Sequence, residues 1–124
     1  MGAVNAVIDS DVLIDFLQGV PAAKDEVSRY SRRVISVITY AEVLAGTEDE
    51  FKAATRQFLQ NLFRITDVTQ LIAEQAAVNR RQYRHKLPDA LIFATAQIAD
   101  CLFVTRNTKD FPQDDPRVRI PYSI

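Results

Sequence analysis

Four acids in this chain stand where chemistry could be done: Asp9, Glu42, Asp89 and Asp110. Asp9 closes the apolar run Ala6-Val7-Ile8, and a helix pattern begins directly after it. Glu42 lies in the first turn of a helix that follows a second β-branched run. Asp89 opens a helix that is apolar nearly all round, from Ala90 to Ala99, so an acid at its start faces a cleft. Asp110, with Asn107, belongs to the polar segment Arg106-Asn107-Thr108-Lys109-Asp110 after the run Leu102-Phe103-Val104. Carboxylates gathered at one sheet edge repel each other unless a cation joins them. Oxygen donors without His or Cys suit Mg²⁺, or Mn²⁺, and therefore phosphate chemistry.

Each of these residues has a plainer use. Asp9 is placed to cap the helix after it, in competition with Ser10 and Asp11. Thr39-x-x-Glu42 has the spacing of a capping box. Asp89 is favourable charge at a helix N-terminus, worth under about 1 kcal/mol when exposed. The segment 106–110 is rich in turn formers, although Arg106 and Lys109 there could also hold phosphate. The argument for chemistry is convergence on one edge.

Alternating strands and helices must supply that convergence. Residues 4–8 read as the first strand, and Asp11–Gln18 as a helix stopped by Gly19. Pro21 opens a helix to about Tyr30. Val34–Ile38 reads as the second strand, with a helix from about Thr39 to Gly46. Thr47-Glu48-Asp49-Glu50 has a capping-box pattern before a stripe of Phe51, Ala54, Phe58, Leu59 and Leu62. Phe63–Val68 is a third strand, and Thr69 to about Lys86 is helical. Pro88 at a first helical position opens Asp89–Ala99. Leu102–Thr105 is the fourth strand, and Val118–Ile120 a fifth at an edge. The pattern predicts a three-layer α/β/α fold with a mainly parallel sheet of four to five strands, in one domain spanning residues 1–124.

Composition narrows the classes. A length of 124 residues with 48% hydrophobic content fits one soluble globule. The single cysteine, Cys101, sits in an apolar run; it excludes an intrachain disulfide and reads as a buried small hydrophobe in a reducing cytoplasm. With one histidine, His85, there is no Cys/His zinc site. No apolar stretch reaches membrane-spanning length. A net charge of −1 argues against a broad, nonspecific nucleic-acid binder, while leaving room for a local basic patch. Arg80, Arg81, Arg84, His85 and Lys86 form such a run, which reads equally as a solvated helix end.

Four segments together carry a resemblance. They are Val7-Ile8-Asp9-Ser10-Asp11-Val12-Leu13-Ile14-Asp15, Ser36-Val37-Ile38-Thr39-Tyr40-Ala41-Glu42-Val43-Leu44-Ala45-Gly46, Leu87-Pro88-Asp89-Ala90-Leu91-Ile92-Phe93-Ala94-Thr95-Ala96, and Val104-Thr105-Arg106-Asn107-Thr108-Lys109-Asp110-Phe111. In order and spacing they span nearly the whole chain, which resembles the PIN-domain ribonucleases and, within them, the VapC-type toxins of bacterial toxin–antitoxin pairs. The resemblance implies that Asp9, Glu42 and Asp89 are metal-site acids. It places a fourth ligand in the last segment, where many members have an acid and this chain has Asn107, so that Asn107 or Asp110 fills the position. It implies metal-dependent hydrolysis of RNA phosphodiesters, a homodimer, and silencing by an antitoxin that inserts residues into the acidic site. Ser10 and Thr105 then orient carboxylates.

Two other classes share some of these features. Asp9-Ser10-Asp11 also fits the opening Asp-x-Asp of haloacid-dehalogenase-type phosphatases, with Asp9 as nucleophile, Asp11 as acid/base and Asp114-Asp115 as a later acid pair. A non-catalytic phospho-receiver module would use Asp67 as its acceptor after the third strand.

Overall fold

The structure, a computed structural model, describes residues 5–123. In chain order the elements are β1 (Asn5–Ile8), α1 (Ser10–Leu17), α2 (Pro21–Ser28), β2 (Arg32–Ser36), α3 (Val37–Ala45), α4 (Asp49–Leu62), β3 (Arg64–Thr66), α5 (Gln70–Tyr83), α6 (Leu87–Ala99), β4 (Leu102–Val104) and β5 (Val118–Arg119). The five strands form one sheet in the order β3-β2-β1-β4-β5, and every pairing is parallel. From β1 the chain winds one way through β2 to β3; it then returns to pair β4 on the other side of β1. The crevice between the carboxyl ends of β1 and β4 is therefore the topological switch point, where sheets of this kind bind ligands.

The pleat divides the core. Ala6 and Ile8, with Ile35 and Val104, face α1 to α4 and meet Val12, Leu13, Val27, Val43, Leu59 and Phe63. Val7 and Phe103, with Val118, face α6 and meet Ile92, Phe93 and Ala96. Alternate residues of a strand point to opposite faces, so both faces of a central parallel strand must be apolar, as Ala6-Val7-Ile8 is. Burying each of the larger side chains contributes roughly 1.5–3 kcal/mol. Helix α5 lies outside α6, through Ile72 and Ala76 against Ala90 and Ala94. Asn79, fully buried, donates from its amide to the Ala90 carbonyl and the Gln97 side chain, which fixes the crossing of the two helices.

The three-layer parallel α/β/α fold is as expected. Several local readings are not. Val37 and Ile38 belong to α3 rather than to the second strand. Its N-cap is Ser36, whose hydroxyl accepts from the Ile38 N–H at 3.0 Å, so Thr39-x-x-Glu42 is no capping box and Glu42 is free of that duty. The pattern at 47–50 fails too. The N-cap of α4 is Glu48, with no side-chain cap bond, and the Thr47 hydroxyl donates back to the Val43 carbonyl. Helix α5 stops at Tyr83, not Lys86, because Arg84 takes the left-handed conformation (φ 59°) that ends a helix. β3 is trimmed to Arg64–Thr66. Val4, included in the first strand by its sequence, lies outside the described residues. Among the described residues no helix is long and apolar enough to cross a membrane.

Candidate active site

The site is built at the β1/β4 switch point. Asp9 is the residue after β1, is almost wholly buried, and caps α1: its Oδ1 accepts the Ser10 N–H at 2.8 Å. Its Oδ2 accepts the Thr105 hydroxyl at 2.7 Å, from the residue after β4. The plain reading of Asp9 as a cap and the chemical one are thus compatible. Burial pushes its carboxyl up to about 7; the nearby charge of Asp11 adds to this, and that of Asp89 does so to a lesser degree. The Thr105 and Ser10 bonds oppose these effects without cancelling them.

Glu42 projects from α3 toward the same edge. Ser10, at the start of α1, donates its hydroxyl to Glu42 Oε1 at 2.6 Å and lies 3.2 Å from the Thr39 hydroxyl. Thr39 is buried, and with Ser10 it joins α1 to α3 beneath the acids. Asp89, in the first turn of α6 behind Pro88, is raised by burial first, then by the charges of Asp110 and Glu42, with Lys86 among the groups opposing them. Four acids from four segments therefore feel one another. Among the described residues, none of Asp9, Glu42, Asp89 and Asp110 has a Lys or Arg nitrogen within 4.0 Å.

The loop after β4 places Asn107 and Asp110 side by side. The Asn107 carbonyl oxygen accepts the backbone N–H groups of Lys109 (3.1 Å) and Asp110 (3.0 Å), so both of its lone pairs are used. Its amide nitrogen donates to Asp110 Oδ2 at 2.9 Å. Asn107 thus folds inward as a turn former that steadies Asp110, and Asp110 keeps the carboxylate. Beneath the loop lies His85. It is not part of a phosphate-binding run, because it is buried against Phe111 (ring centroids 4.8 Å apart), Tyr83 (5.2 Å) and Phe93 (5.9 Å). Its Nε2–H donates to the Asp110 carbonyl oxygen at 2.7 Å, while Nδ1 has no partner among the described residues. Tyr83-x-His85 followed by Phe111 is the sequence signal of this aromatic cage, and the charged neighbours of His85 obscure it.

Arg106 is likewise not a phosphate holder. Its Nε lies 2.6 Å from Asp15 Oδ2, and Tyr122 donates to the same oxygen at 2.8 Å. The backbone N–H of Arg106 donates to Asp11 Oδ2 at 3.1 Å, and the Val12 N–H to Asp11 Oδ1 at 2.7 Å. Asp11 Oδ2 thus holds the loop after β4 to α1 while Oδ1 is bonded within α1, a structural use that a phosphatase acid/base would not have. Asp115 is similarly spent on the Arg117 backbone N–H, at 2.9 Å. Asp67 follows the edge strand β3, two strands away from the switch point. Asp11 and Asp15, one turn apart on α1, are the structural acids of the site.

The donor set fits a particular kind of ion. Among the described residues no three Asp, Glu, His or Cys side chains converge tightly enough to hold one metal directly. The candidate donors are carboxylate oxygens, which suit a hard divalent cation that keeps part of its water shell.

A parallel α/β fold of strand order 3-2-1-4-5, with carboxylates from four segments acting electrostatically on one another outside β1 and β4, defines a hydrolase-like class. Known proteins agree. The PIN domain family model matches residues 6–113, and the chain belongs to the PIN-domain family. Ribonuclease VapC10 of Mycobacterium tuberculosis is 32% identical over 126 residues, covering 95% of this chain and 93% of that protein. A toxin–antitoxin complex from Klebsiella pneumoniae contains a chain 38% identical with a TM-score of 0.87, covering 96% of this chain and 99% of that one. FitAcB from Neisseria gonorrhoeae, at 23% identity and a TM-score of 0.76 over 94% of this chain and 97% of that one, shares the fold.

Proposed function

We propose that this chain is a divalent-metal-dependent endoribonuclease, the toxin of a VapC-type toxin–antitoxin pair, acting in the cytoplasm as one PIN domain over residues 1–124. The family and the 32% identity to a named ribonuclease support the activity. What supports the site is that the charges of Asp9, Glu42, Asp89 and Asp110 act on one another with no Lys or Arg paired to them among the described residues.

In this reading Asp9 and Asp89 hold Mg²⁺ (Mn²⁺ can substitute) directly, and Glu42 and Asp110 act through its water shell. Asn107 is reassigned from ligand to support of Asp110. When bound, the ion supplies charge for the scissile phosphate and lowers the pKa of a coordinated water. The chain's own residues do the rest. Ser10 and Thr105 aim the carboxylates of Glu42 and Asp9 through bonds of 2.6 and 2.7 Å. Glu42, exposed at the edge, is placed to orient a water for in-line attack on phosphorus. The bond from phosphorus to the 3′ oxygen breaks and leaves a 5′-phosphate. The 38% identity to a chain of a toxin–antitoxin complex supports a cognate antitoxin as partner; the homodimer is what the family resemblance implies.

The test is cleavage of a single-stranded RNA by the wild type, Asp9→Asn and Asp89→Asn, with EDTA and with Mg²⁺ restored. Loss of cleavage in both variants and under EDTA is expected. Cleavage that survives either substitution removes that acid from the metal site.

A further inference from the structure

A cleft lies away from the acids, at the opposite edge of the sheet. It measures about 670 Å³ and is lined by Arg32, Arg64, Asn5, Ser31, Asn61 and Thr66, with other residues. Arg32 opens β2 and Arg64 opens β3, while Asn5 stands beside Arg32 in register on β1. The parallel topology makes this placement unavoidable: residues that start strands share one edge, and residues that follow them share the other. Both arginines are exposed, and neither has a carboxylate within 4.0 Å among the described residues. Among the described residues no Asp or Glu lines the cleft. Asp67 and Asp100 adjoin it in sequence, but neither lines it, and Asp100 lies 3.6 Å from Arg117. A third arginine, Arg33, also lines it; its Nε donates to the Tyr30 carbonyl at 3.1 Å, which holds its guanidinium in place.

We propose that this cleft is a phosphate-binding site that holds the backbone of the RNA strand at a distance from the bond being cut. The inference rests on the ribonuclease reading above and adds a subsite to it. Two free guanidiniums with four neutral amide and hydroxyl side chains around them are the donor set expected for phosphate oxygens. Phe63, the aromatic residue of the lining, is buried and not free to stack on a base. Phosphate contacts fix position and carry no sequence information. From Asn5 to Asp9 is four residues of strand, or about 13 Å. β1 is buried over Ala6-Val7-Ile8, so a nucleic-acid strand joins the two edges only over the surface, by a path longer than about four stacked nucleotides at about 3.4 Å each. A strand held at the arginines therefore presents to the acids a phosphate several nucleotides away. An acidic site repels its own polyanionic substrate, and a cationic anchor at this distance offsets that repulsion without neutralising the metal ligands.

The experiment compares cleavage of a three-nucleotide RNA and a twelve-nucleotide RNA by the full chain with Mg²⁺. The variants are the wild type, Arg32→Gln/Arg64→Gln and the charge-keeping Arg32→Lys/Arg64→Lys. Both positions are solvent-exposed, so the unfolding temperature should stay unchanged, which is checked in parallel. For the long RNA the Gln pair is expected to raise KM about tenfold with kcat unaltered. It should also reduce the slope of log affinity against log salt by about 1.4, the share of two single-strand phosphate contacts. The Lys pair should recover most of this. Cleavage of the short RNA should not change.

Equal losses on both RNAs, or none on either, overturn the proposal. So does inhibition of long-RNA binding by millimolar AMP or inorganic phosphate that persists in the Gln pair, since the competing phosphate then binds elsewhere. AMP bound in the cleft without displacing long RNA assigns the site to a free nucleotide and overturns it as well. A wild type that cleaves neither RNA refutes the ribonuclease reading itself, a result distinct from all of these.

Discussion

Two groups of acids, one paired with arginine and one not, are treated in opposite ways. Asp15 is paired: Arg106 meets it at 2.6 Å and Tyr122 at 2.8 Å. Glu26 is paired as well, by Arg119 through two bonds of 2.6 and 2.9 Å and by the Tyr30 hydroxyl, and these partners hold its carboxyl below the usual range against the cost of burial. Asp9 is equally buried but has only uncharged donors, and it is pushed up to about 7. Arginine was within reach of the second group: Arg106 directly follows Thr105, which binds Asp9, yet its side chain turns to Asp15. The first group ties the C-terminal residues of the chain to α1 and α2. The second keeps negative charge unspent, which is what a cation needs.

The comparison is broken most severely at Asp9. Asp9→Asn preserves the shape and both hydrogen-bond positions, and an amide serves as donor to the Thr105 hydroxyl. RNA cleavage should fall by about a thousandfold or more, in line with the loss of a charge acting where phosphate charge develops. The same variant should be more stable than the wild type in EDTA at pH 8. A carboxyl moved from 3.8 to about 7 on folding disfavours the folded state once it is ionised, by on the order of 2–4 kcal/mol. Thermal unfolding with and without Mg²⁺ measures this. A variant less stable than the metal-free wild type at pH 8 would show that Asp9 is a structural acid like Asp15.

Removing the partner from a paired acid should do the reverse. Arg106→Ala leaves the buried Asp15 with the Tyr122 hydroxyl but no cation and should cost about 3 kcal/mol of stability. Denaturant titration reads it directly. Any loss of cleavage at a temperature where the variant is folded should be modest, because Arg106 reaches no acid of the candidate site with its side chain.

The pH profile sharpens the contrast because the two signs differ. Glu26 is lowered from 4.5, so its stabilisation is present above that value and is lost as pH falls through the folded pKa. Asp9 is raised, so its contribution is most favourable below 3.8 and is lost as pH rises toward 7. Metal-free protein should thus be most stable at mildly acid pH, with the alkaline decline flattened by Asp9→Asn or by saturating Mg²⁺. An EDTA-treated wild type whose unfolding temperature climbs steadily from pH 5 to pH 8 contradicts the raised carboxyl.

How much of this can be seen in the chain itself follows from the range over which each interaction acts. The strand runs and the acids that end them are local patterns, and parallel topology then fixes which edge they share; Asp9, Glu42 and Asp89 are visible for that reason. The pairings are not. Asp15 and Arg106 are 91 residues apart and meet because β1 and β4 are neighbours, a fact that the order of elements alone does not give. The capping readings fail at 36–42 because strand β2 passes into α3 with no loop, so Ser36 caps and Thr39 is turned inward to Ser10. His85 looks like one more basic residue among charged neighbours, yet Arg84 ends α5 and reverses the chain just before it, which turns the ring inward.

Asn107 tests the finest point of the contrast, whether a neutral residue inside the acidic group supports or ligates. Its carbonyl oxygen is saturated by two backbone N–H groups and its amide steadies Asp110. Asn107→Ala should therefore loosen the loop and weaken cleavage by roughly tenfold, with the deficit seen in the Mg²⁺ concentration needed for half activity, because what is lost is the aim of Asp110 and about one or two hydrogen bonds. Asn107→Asp keeps the oxygen that receives the two N–H groups but sets a second carboxylate 2.9 Å from Asp110 in place of a donor. If Asn107 is a support, this change should be as harmful as Ala or worse at low Mg²⁺, and should recover as Mg²⁺ rises, since the ion offsets the new repulsion. If Asn107 is itself the ligand, the aspartate should bind metal more tightly than the wild type at every concentration, and that outcome would return the role to residue 107.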